Sequence, residues 1–413
     1  MLTVLRDLVA DDRRIDTLLS QATPQTATML ERALAREELS IDDGTHLLTV
    51  EGDDARALIR AADVVRAADV GDDVTYVVNR NINFTNICFV GCQFCAFARH
   101  RKDADAHSHS VEEVLAKVQD ALDRGASEIC MQGGINPEMD AFTYRDLLTA
   151  IKARYPQIHV HAFSPMEIMY GARRTGMGYR DYLTMLRDAG LGTIPGTAAE
   201  ILDDEIREIL SHKKVDVRTW VEIVTTAHEL GIRSSSTVMY GHVEQPAHIA
   251  RHIGLIRSLQ KQTGGFTEFV PLRFIHTYTM LYQKGLVDPP PKGLVDLRMY
   301  AVSRLMLRGW IDNLQTSWVK LGTDLAQLTL LTGCNDFGGT LMEEQISKSA
   351  GADAGEYLPE DRIRALITEV GRNPVQRTTT YGRVSENGAS PTGDGAGWRG
   401  RRGTISPGPV FAG

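Results

Sequence analysis

Positive charge, cysteine and long apolar runs are all scarce in this sequence of 413 residues. It carries 45 Lys and Arg against 53 Asp and Glu, a formal net charge of -8. No broad basic surface is therefore available to neutralise a phosphate backbone, and nucleic acid is not expected as a partner. No apolar stretch approaches the roughly 18 residues that a membrane-spanning helix requires, and Arg6, Asp7, Asp11 and Asp12 stand near the start. A cytoplasmic protein without membrane contact is expected. The five cysteines, Cys88, Cys92, Cys95, Cys130 and Cys334, are an odd number for a disulfide scheme, and three of them fall within eight residues. In a large cytosolic chain such clustering points to metal or redox chemistry.

What is present is the composition of a globular protein, with 43% hydrophobic and 24% charged residues. Residues 1–73 read as a helical N-terminal extension, with Leu18, Leu19, Met29, Leu30, Leu34 and Leu39 at helical spacing. From Thr75 onward short apolar runs alternate with amphipathic stretches. Strands are expected over 75–84, 128–132, 159–163, 192–194, 233–240, 266–275 and 315–321, with helices between them. So many βα units in succession predict an α/β protein, a closed parallel (β/α) barrel of TIM type over 74–321 whose catalytic residues sit at the C-terminal strand ends. Residues 322–384 should form a helical region that completes the barrel mouth. Residues 385–413 hold eight Gly and three Pro, too little apolar surface to offset ordering entropy, and a disordered tail is expected.

Cys88, Cys92 and Cys95 form a C-x3-C-x2-C pattern directly after the first barrel strand expected. Thiolates suit iron-sulfur clusters or zinc. Structural zinc normally takes four protein ligands, and no fourth cysteine is near. Three thiolates can instead hold three irons of a [4Fe-4S] cube and leave the fourth iron open for a small molecule.

This pattern, with Phe94 as the aromatic residue before the last cysteine, resembles the signature of the radical S-adenosylmethionine (SAM) superfamily. The resemblance implies a [4Fe-4S] cluster on Cys88, Cys92 and Cys95, with SAM on the open iron, cleaved by one electron to methionine and a 5'-deoxyadenosyl radical. It also implies that Gln132, Gly133 and Gly134 form a turn at the SAM ammonium, and that Gly241-His-Val-Glu244 lies beside the adenine. Longer phrases narrow it: Asn81 to Arg99, Met131 to Pro137, His161 to Glu167, Pro195 to Glu200 and Asn335 to Glu344 are similar to the tyrosine-using, CofH-type family of FO synthase subunits, over roughly 45–375. That family would transfer the 4-hydroxybenzyl group of L-tyrosine to 5-amino-6-(D-ribitylamino)uracil, with 2-iminoacetate leaving, on the route to a deazaflavin coenzyme. An external electron donor and coupling to the ring-closing, CofG-type subunit are implied as partners. One barrel and one cysteine loop fit 413 residues, so a fusion of both activities is not expected. Aminofutalosine synthase and cyclic dehypoxanthinylfutalosine synthase, of the same subgroup, are the alternative.

The other polar candidates each keep a plainer reading. His159 and His161 alternate on one strand and so share a face, as substrate or proton-transfer contacts or as satisfied core histidines. Glu167 sits at a helix start, where the dipole favours an anion regardless of function. Glu200 is a candidate for the SAM ribose or the tyrosine amine, or a helix cap. Arg273 and His276 would suit the tyrosine carboxylate, or would be salt-bridge partners. Asn335 and Asp336 lead a Phe-Gly-Gly turn that reaches the barrel mouth, or form an Asx turn. Gln132, Asn136, Asn335 and Asp336 together would supply hydrogen bonds to a ribityl chain and pyrimidine. Two other classes remain open: a zinc-dependent barrel hydrolase using His159 and His161, and an iron-sulfur scaffold protein.

Overall fold

Short runs of alternating inward and outward side chains, separated by amphipathic helices, give nine strands among the described residues: β1 (Asp73–Val77), β2 (Asn79–Ile82), β3 (Glu128–Met131), β4 (His159–Ala162), β5 (Thr193–Ile194), β6 (Arg233–Tyr240), β7 (Phe266–Arg273), β8 (Asp336–Gly339) and β9 (Asn373–Gln376). The computed structural model describes residues 2–384, so the tail expected over 385–413 lies outside the described residues. Strands β2 to β7 pair in sequence order as one parallel sheet, with Ile82 opposite Met131, Cys130 opposite His161 and Thr237 opposite Val270. A second parallel sheet has the order β8-β1-β9. Bridges of Phe269 to Leu314, Gln315 to Asp336 and Arg80 to Met342 link the two sheets into a ring. The outward residues Ile129, Val160 and Ile194 are fully buried under the helices, as both-sided burial of a parallel sheet requires.

Three expectations change. The single strand over 75–84 is two, because the chain exchanges neighbours at Val78: β1 pairs with β8 and β9, β2 with β3. The strand expected over 315–321 is a two-residue bridge followed by a helical turn, Trp318–Leu321, whose indole N–H is drawn to the Gly339 carbonyl at 2.8 Å. The Phe-Gly-Gly segment is not a turn but β8. Its glycines fit there because a Cβ on Gly339 would meet the Asn79 amide at 2.2 Å.

Before the barrel come α1 (Leu2–Val9), α2 (Ile15–Gln21), α3 (Pro24–Leu34), α4 (Ile41–Leu47) and α5 (Gly52–Val70). Helix α4 opens on a capping box between Ser40 and Asp43. The apolar stripe of α5, Ala55, Leu58, Ile59, Ala62 and Val65, is at most 2% exposed and packs on the barrel helix Leu294–Met306. The N-terminal helices and the barrel therefore share one hydrophobic core. At the N-terminal ends of the strands the chain after β9 crosses under the ring and buries Arg377, which ion-pairs with Asp336, itself fully buried. That pair plugs the bottom and leaves the top open to the cysteine loop.

Candidate active site

The cysteine loop leaves β2 at the C-terminal end of the barrel, and its backbone is fastened to three neighbours. Gly134 N–H donates to the Thr85 carbonyl at 2.7 Å, Phe89 N–H to Ile135 at 3.2 Å and Gln93 N–H to Leu210 at 2.8 Å. Cys88, Cys92 and Cys95 all line one cavity of about 240 Å³, together with Phe94, Gln132, Gly133, Gly134, Glu167 and Glu200. Burial pushes all three thiols up, and the nearby Lys214 charge opposes the rise at each. Glycine is required opposite the loop: a Cβ on Gly134 would lie 2.3 Å from the Ile87 carbonyl oxygen, and one on Gly133 2.6 Å from the Phe84 ring. This donor set fits an iron-sulfur cube. Among the described residues no three His, Cys, Asp or Glu side chains converge on one ion position; a cube asks for no such convergence, since each thiolate binds its own iron.

The wall opposite the loop is strained and clamped. Phe163, Ala198 and Glu200, just past β4 and β5, adopt φ of 62°, 61° and 40°, a conformation that costs non-glycine residues of order 1–3 kcal/mol and concentrates at functional sites. The buried Arg207 holds this segment through the carbonyls of Ala198, Ala199 and Val215. Glu200 accepts from Lys214 at 2.7 Å, and its Oε2 has no hydrogen-bond partner. Lys214 in turn lies 5.0 Å from the Phe94 ring centroid, a cation-π contact, so a Phe94-Lys214-Glu200 chain ties the cysteine loop to the end of β5. Glu167 closes a capping box with Ser164 and accepts the Gly133 N–H at 3.0 Å. Burial outweighs these donors and pushes its carboxyl up to about 7.

Below this cavity, and sharing Gln132, Thr197, Thr237, Leu272 and Lys320 with it, a second chamber of about 260 Å³ fills the barrel interior. Asn79 and Asn81 on β2, Asn83 just past it, Cys130 on β3, His161 on β4 and Glu268 on β7 face it. His159 and His161 do share a face, and both rings meet one hydroxyl: Thr193 Oγ1 is 2.9 Å from His159 Nε2 and 2.7 Å from His161 Nδ1. Burial lowers both, His159 to about 4. Cys130 is held as a thiol, pushed up to about 12 by burial, and Cys334 lies in the core.

Other candidates stand elsewhere. Arg273 borders the upper cavity, but its guanidinium is bound to Asp296 at 2.8 Å and to the carbonyls of Pro290 and Pro291, so the expected free cation for a carboxylate is already committed. His276 packs edge-on against Tyr282, outside both cavities. Glu244 braces its own loop through Gly241 N–H, His242 N–H and the His242 ring and lines neither cavity. Asn136 caps a turn through Glu138 N–H. Asn335 and Asp336 open β8 and so lie at the bottom, not the mouth: Asn335 accepts from Arg304 and Leu314 N–H, and Asp336 from Thr75 and Arg377. Lys214, Arg207 and Lys320 carry no signal in the sequence. The spacing Asn79-x-Asn81-x-Asn83 does, as a period-two polar face.

Family models match over two regions: the radical SAM superfamily over residues 82–256 and the CofH/MqnC C-terminal region over 263–388. The chain is 52% identical over 90% of its length to FO synthase of Streptomyces avermitilis and 51% identical over 85% to that of Mycobacterium tuberculosis. It spans only 43% and 41% of those two proteins. It is 46% identical over 88% of its length, and 98% of the relative's, to the 5-amino-6-(D-ribitylamino)uracil--L-tyrosine 4-hydroxyphenyl transferase of Methanothermobacter thermautotrophicus. Solved structures of the same fold include methylornithine synthase, with a TM-score of 0.66 at 18% identity over 84% of this chain and 97% of that one. The hydrogenase maturase HydG of Carboxydothermus hydrogenoformans gives 0.69 at 16% identity over 92% and 85%.

Proposed function

We propose, from the premise that this chain belongs to the radical SAM superfamily and to its CofH/MqnC branch, that it transfers the 4-hydroxybenzyl group of L-tyrosine to 5-amino-6-(D-ribitylamino)uracil. The observation that carries the proposal is the continuity of two chambers, one lined by three thiols and the next by amides, carboxylates and a histidine. Bound on Cys88, Cys92 and Cys95, a [4Fe-4S] cluster with SAM supplies one-electron cleavage to a 5'-deoxyadenosyl radical able to take a hydrogen atom from tyrosine.

The chain's own residues then bind, orient and move protons. Gly133 and Gly134, with Glu200 Oε2, which faces Arg207 at 3.7 Å but accepts no hydrogen bond, offer backbone and carboxylate to an aminoacyl or ribose group. Lys320 borders both chambers and, among the described residues, enters no ion pair; it takes the carboxylate role expected of Arg273. A charge-assisted bond there fixes tyrosine with its Cα–Cβ bond near the upper chamber. Once that bond breaks, 2-iminoacetate leaves and the benzyl carbon joins the uracil ring; the adduct radical then becomes the imine by giving one electron to an external one-electron acceptor and one proton from the ribitylamino nitrogen. His161, neutral through burial, is placed to accept it and pass it to His159 through the Thr193 hydroxyl. The barrel walls and the loop above keep water from the radical. The reading carries with it a cytoplasmic setting, an external electron donor and coupling to the ring-closing activity. No helix among the described residues is long and apolar enough to cross a membrane.

The test is anaerobic incubation of the reconstituted protein with SAM, reductant, tyrosine and the ribitylaminouracil, followed by mass analysis. The 4-hydroxybenzyl adduct should form only when that uracil is present. Equal or faster turnover of the enolpyruvyl-benzoate and nucleoside substrates of the futalosine route would overturn the proposal. Alanine at Cys88, Cys92 or Cys95 should abolish SAM cleavage, whereas Cys130→Ala and Cys334→Ala should keep the iron.

A further inference from the structure

Strand β2 and the residue just past it place an asparagine at every second position, and Asn79, Asn81 and Asn83 all line the lower chamber. At the foot Asn79 is spent, donating to Glu128 at 2.9 Å and accepting from Leu341 N–H. The upper two are not. Asn83 gives its amide N–H to the Gln132 carbonyl at 3.1 Å, which fixes its Oδ1 as an acceptor, and that oxygen has no partner. Asn81 Oδ1 is likewise unpaired. Across the chamber Glu268, 8% exposed, leaves Oε2 unpaired. The Thr379 hydroxyl on the same lining is unpaired as well. An unpaired buried polar group costs about 1–3 kcal/mol, so four in one chamber mark a place built for a ligand. Arg377, a buried cation on the same lining, is occupied by Asp336 and Gln315.

The two amide oxygens only accept, whereas the Thr379 hydroxyl and the Glu268 carboxyl, which burial pushes up to about 7, can accept or donate; what satisfies all four is a ligand bearing several hydroxyls in a row. Resting on the transferase reading above, we propose that the lower chamber seats the ribityl chain of the acceptor, its hydroxyls donating to Asn81 Oδ1, Asn83 Oδ1 and Glu268 Oε2. The orientation follows from the chemistry. The ring carbon that forms the new bond has to face the upper chamber, where the thiols lie, so the unreactive chain points to the opposite end. From Glu128 to Met131 β3 offers about 10 Å of wall at roughly 3.3 Å per residue, room for an extended five-carbon polyol. Specificity for the ribityl group then comes from β2 and β7, not from Asn136, Asn335 and Asp336.

The test is anaerobic calorimetry on the reconstituted protein saturated with SAM, with tyrosine omitted so that nothing turns over. Two probes are compared: 5-amino-6-(D-ribitylamino)uracil and 5,6-diaminouracil, which lacks the chain. The parent should bind the ribityl compound at least about tenfold more tightly. Glu268→Ala, which removes the group, and Asn81→Ala should each weaken the ribityl compound roughly tenfold and leave diaminouracil unchanged. Melting curves check folding, and Asn81→Ala carries the comparison if the Glu268 variant is unstable. Equal affinity of the two probes in the parent, or equal weakening of both in the variants, overturns the assignment. If neither probe binds the parent, the transferase reading itself falls and takes this one with it.

Discussion

Gly134 and Thr85 are joined by a backbone hydrogen bond of 2.7 Å that holds the strand-end turn of β3 against the base of the cysteine loop. The approach is so close that the Ile87 carbonyl and the Cys88 Cβ would stand 2.3 and 3.0 Å from an added methyl group. Both obstacles are backbone or the first atom of a side chain, so neither can swing aside.

Gly134→Ala should therefore displace Cys88 without unfolding the barrel, because β3 pairs on both edges below the turn. Iron and acid-labile sulfide per chain should fall well below the parent after reconstitution, while circular dichroism stays the same. A variant with full iron content and full SAM cleavage would show that the turn is free to move.

Lys320 supplies a second prediction. Burial lowers the pKa of its ammonium, opposed by the Glu344 and Cys95 charges, and the cost of burying it is offset once a substrate carboxylate binds. Lys320→Met keeps the stem and removes the charge. The KM for tyrosine should rise roughly tenfold or more with the affinity for SAM unchanged. An unaltered KM would move the carboxylate to another group.

How much of this was readable beforehand differs by residue for physical reasons. The cysteine loop is local in sequence, so spacing alone reveals it, and Phe94, Gln132, Gly133 and Gly134 travel with it. The shared face of His159 and His161 is a period-two fact. For Arg273 the salt-bridge alternative holds, but its partner Asp296 is 23 residues away and arrives only by folding, so no local pattern names it. Asp336 does make the Asx-type contact, accepting the Gly338 N–H at 2.7 Å, but the segment is β8 and its first residues lie at the strand's N-terminal end, a register that spacing does not give. Arg377 reaches the bottom of the barrel from beyond β9, a connection no local pattern encodes. The asparagine file on β2 was legible by the same alternation as the histidines, but the cysteines beside it claimed the strand end.

Buried histidines outside the site should add to the acid sensitivity that His159 and His161 carry within it. His228 bonds to Thr263 and Ser234 at 2.7 and 2.8 Å, and burial lowers it to about 3; His252, fully buried, is lowered to about 3 as well. Both titrate near 6.5 when unfolded. A base depressed in the folded state contributes stability that is present above pH 6.5 and lost as the pH falls toward 3. Between pH 6.5 and 5 each should cost on the order of 2 kcal/mol, read as a falling melting midpoint. His228→Gln should flatten that fall; an unchanged slope would place the acid sensitivity elsewhere.

The last prediction concerns Thr193, whose hydroxyl stands between two imidazoles. It can donate to only one of them at a time, so the proton on the other bond belongs to a ring, and a shift of the whole chain moves one proton from the lumen side to the His159 side without moving a heavy atom. His161 lines the substrate chamber, while His159 begins its strand at the lower end of the barrel. Thr193→Val keeps shape and cuts the chain. If the proton released on imine formation leaves this way, kcat should drop by roughly a hundredfold with the KM values unchanged. Thr193→Ser should restore most of it. A structural role alone would lower the melting midpoint and leave the pH profile of kcat as it was. Loss of the relay should displace that profile toward higher pH, where bulk base takes over. A valine variant with the parent's kcat and pH profile would exclude the chain as a proton path.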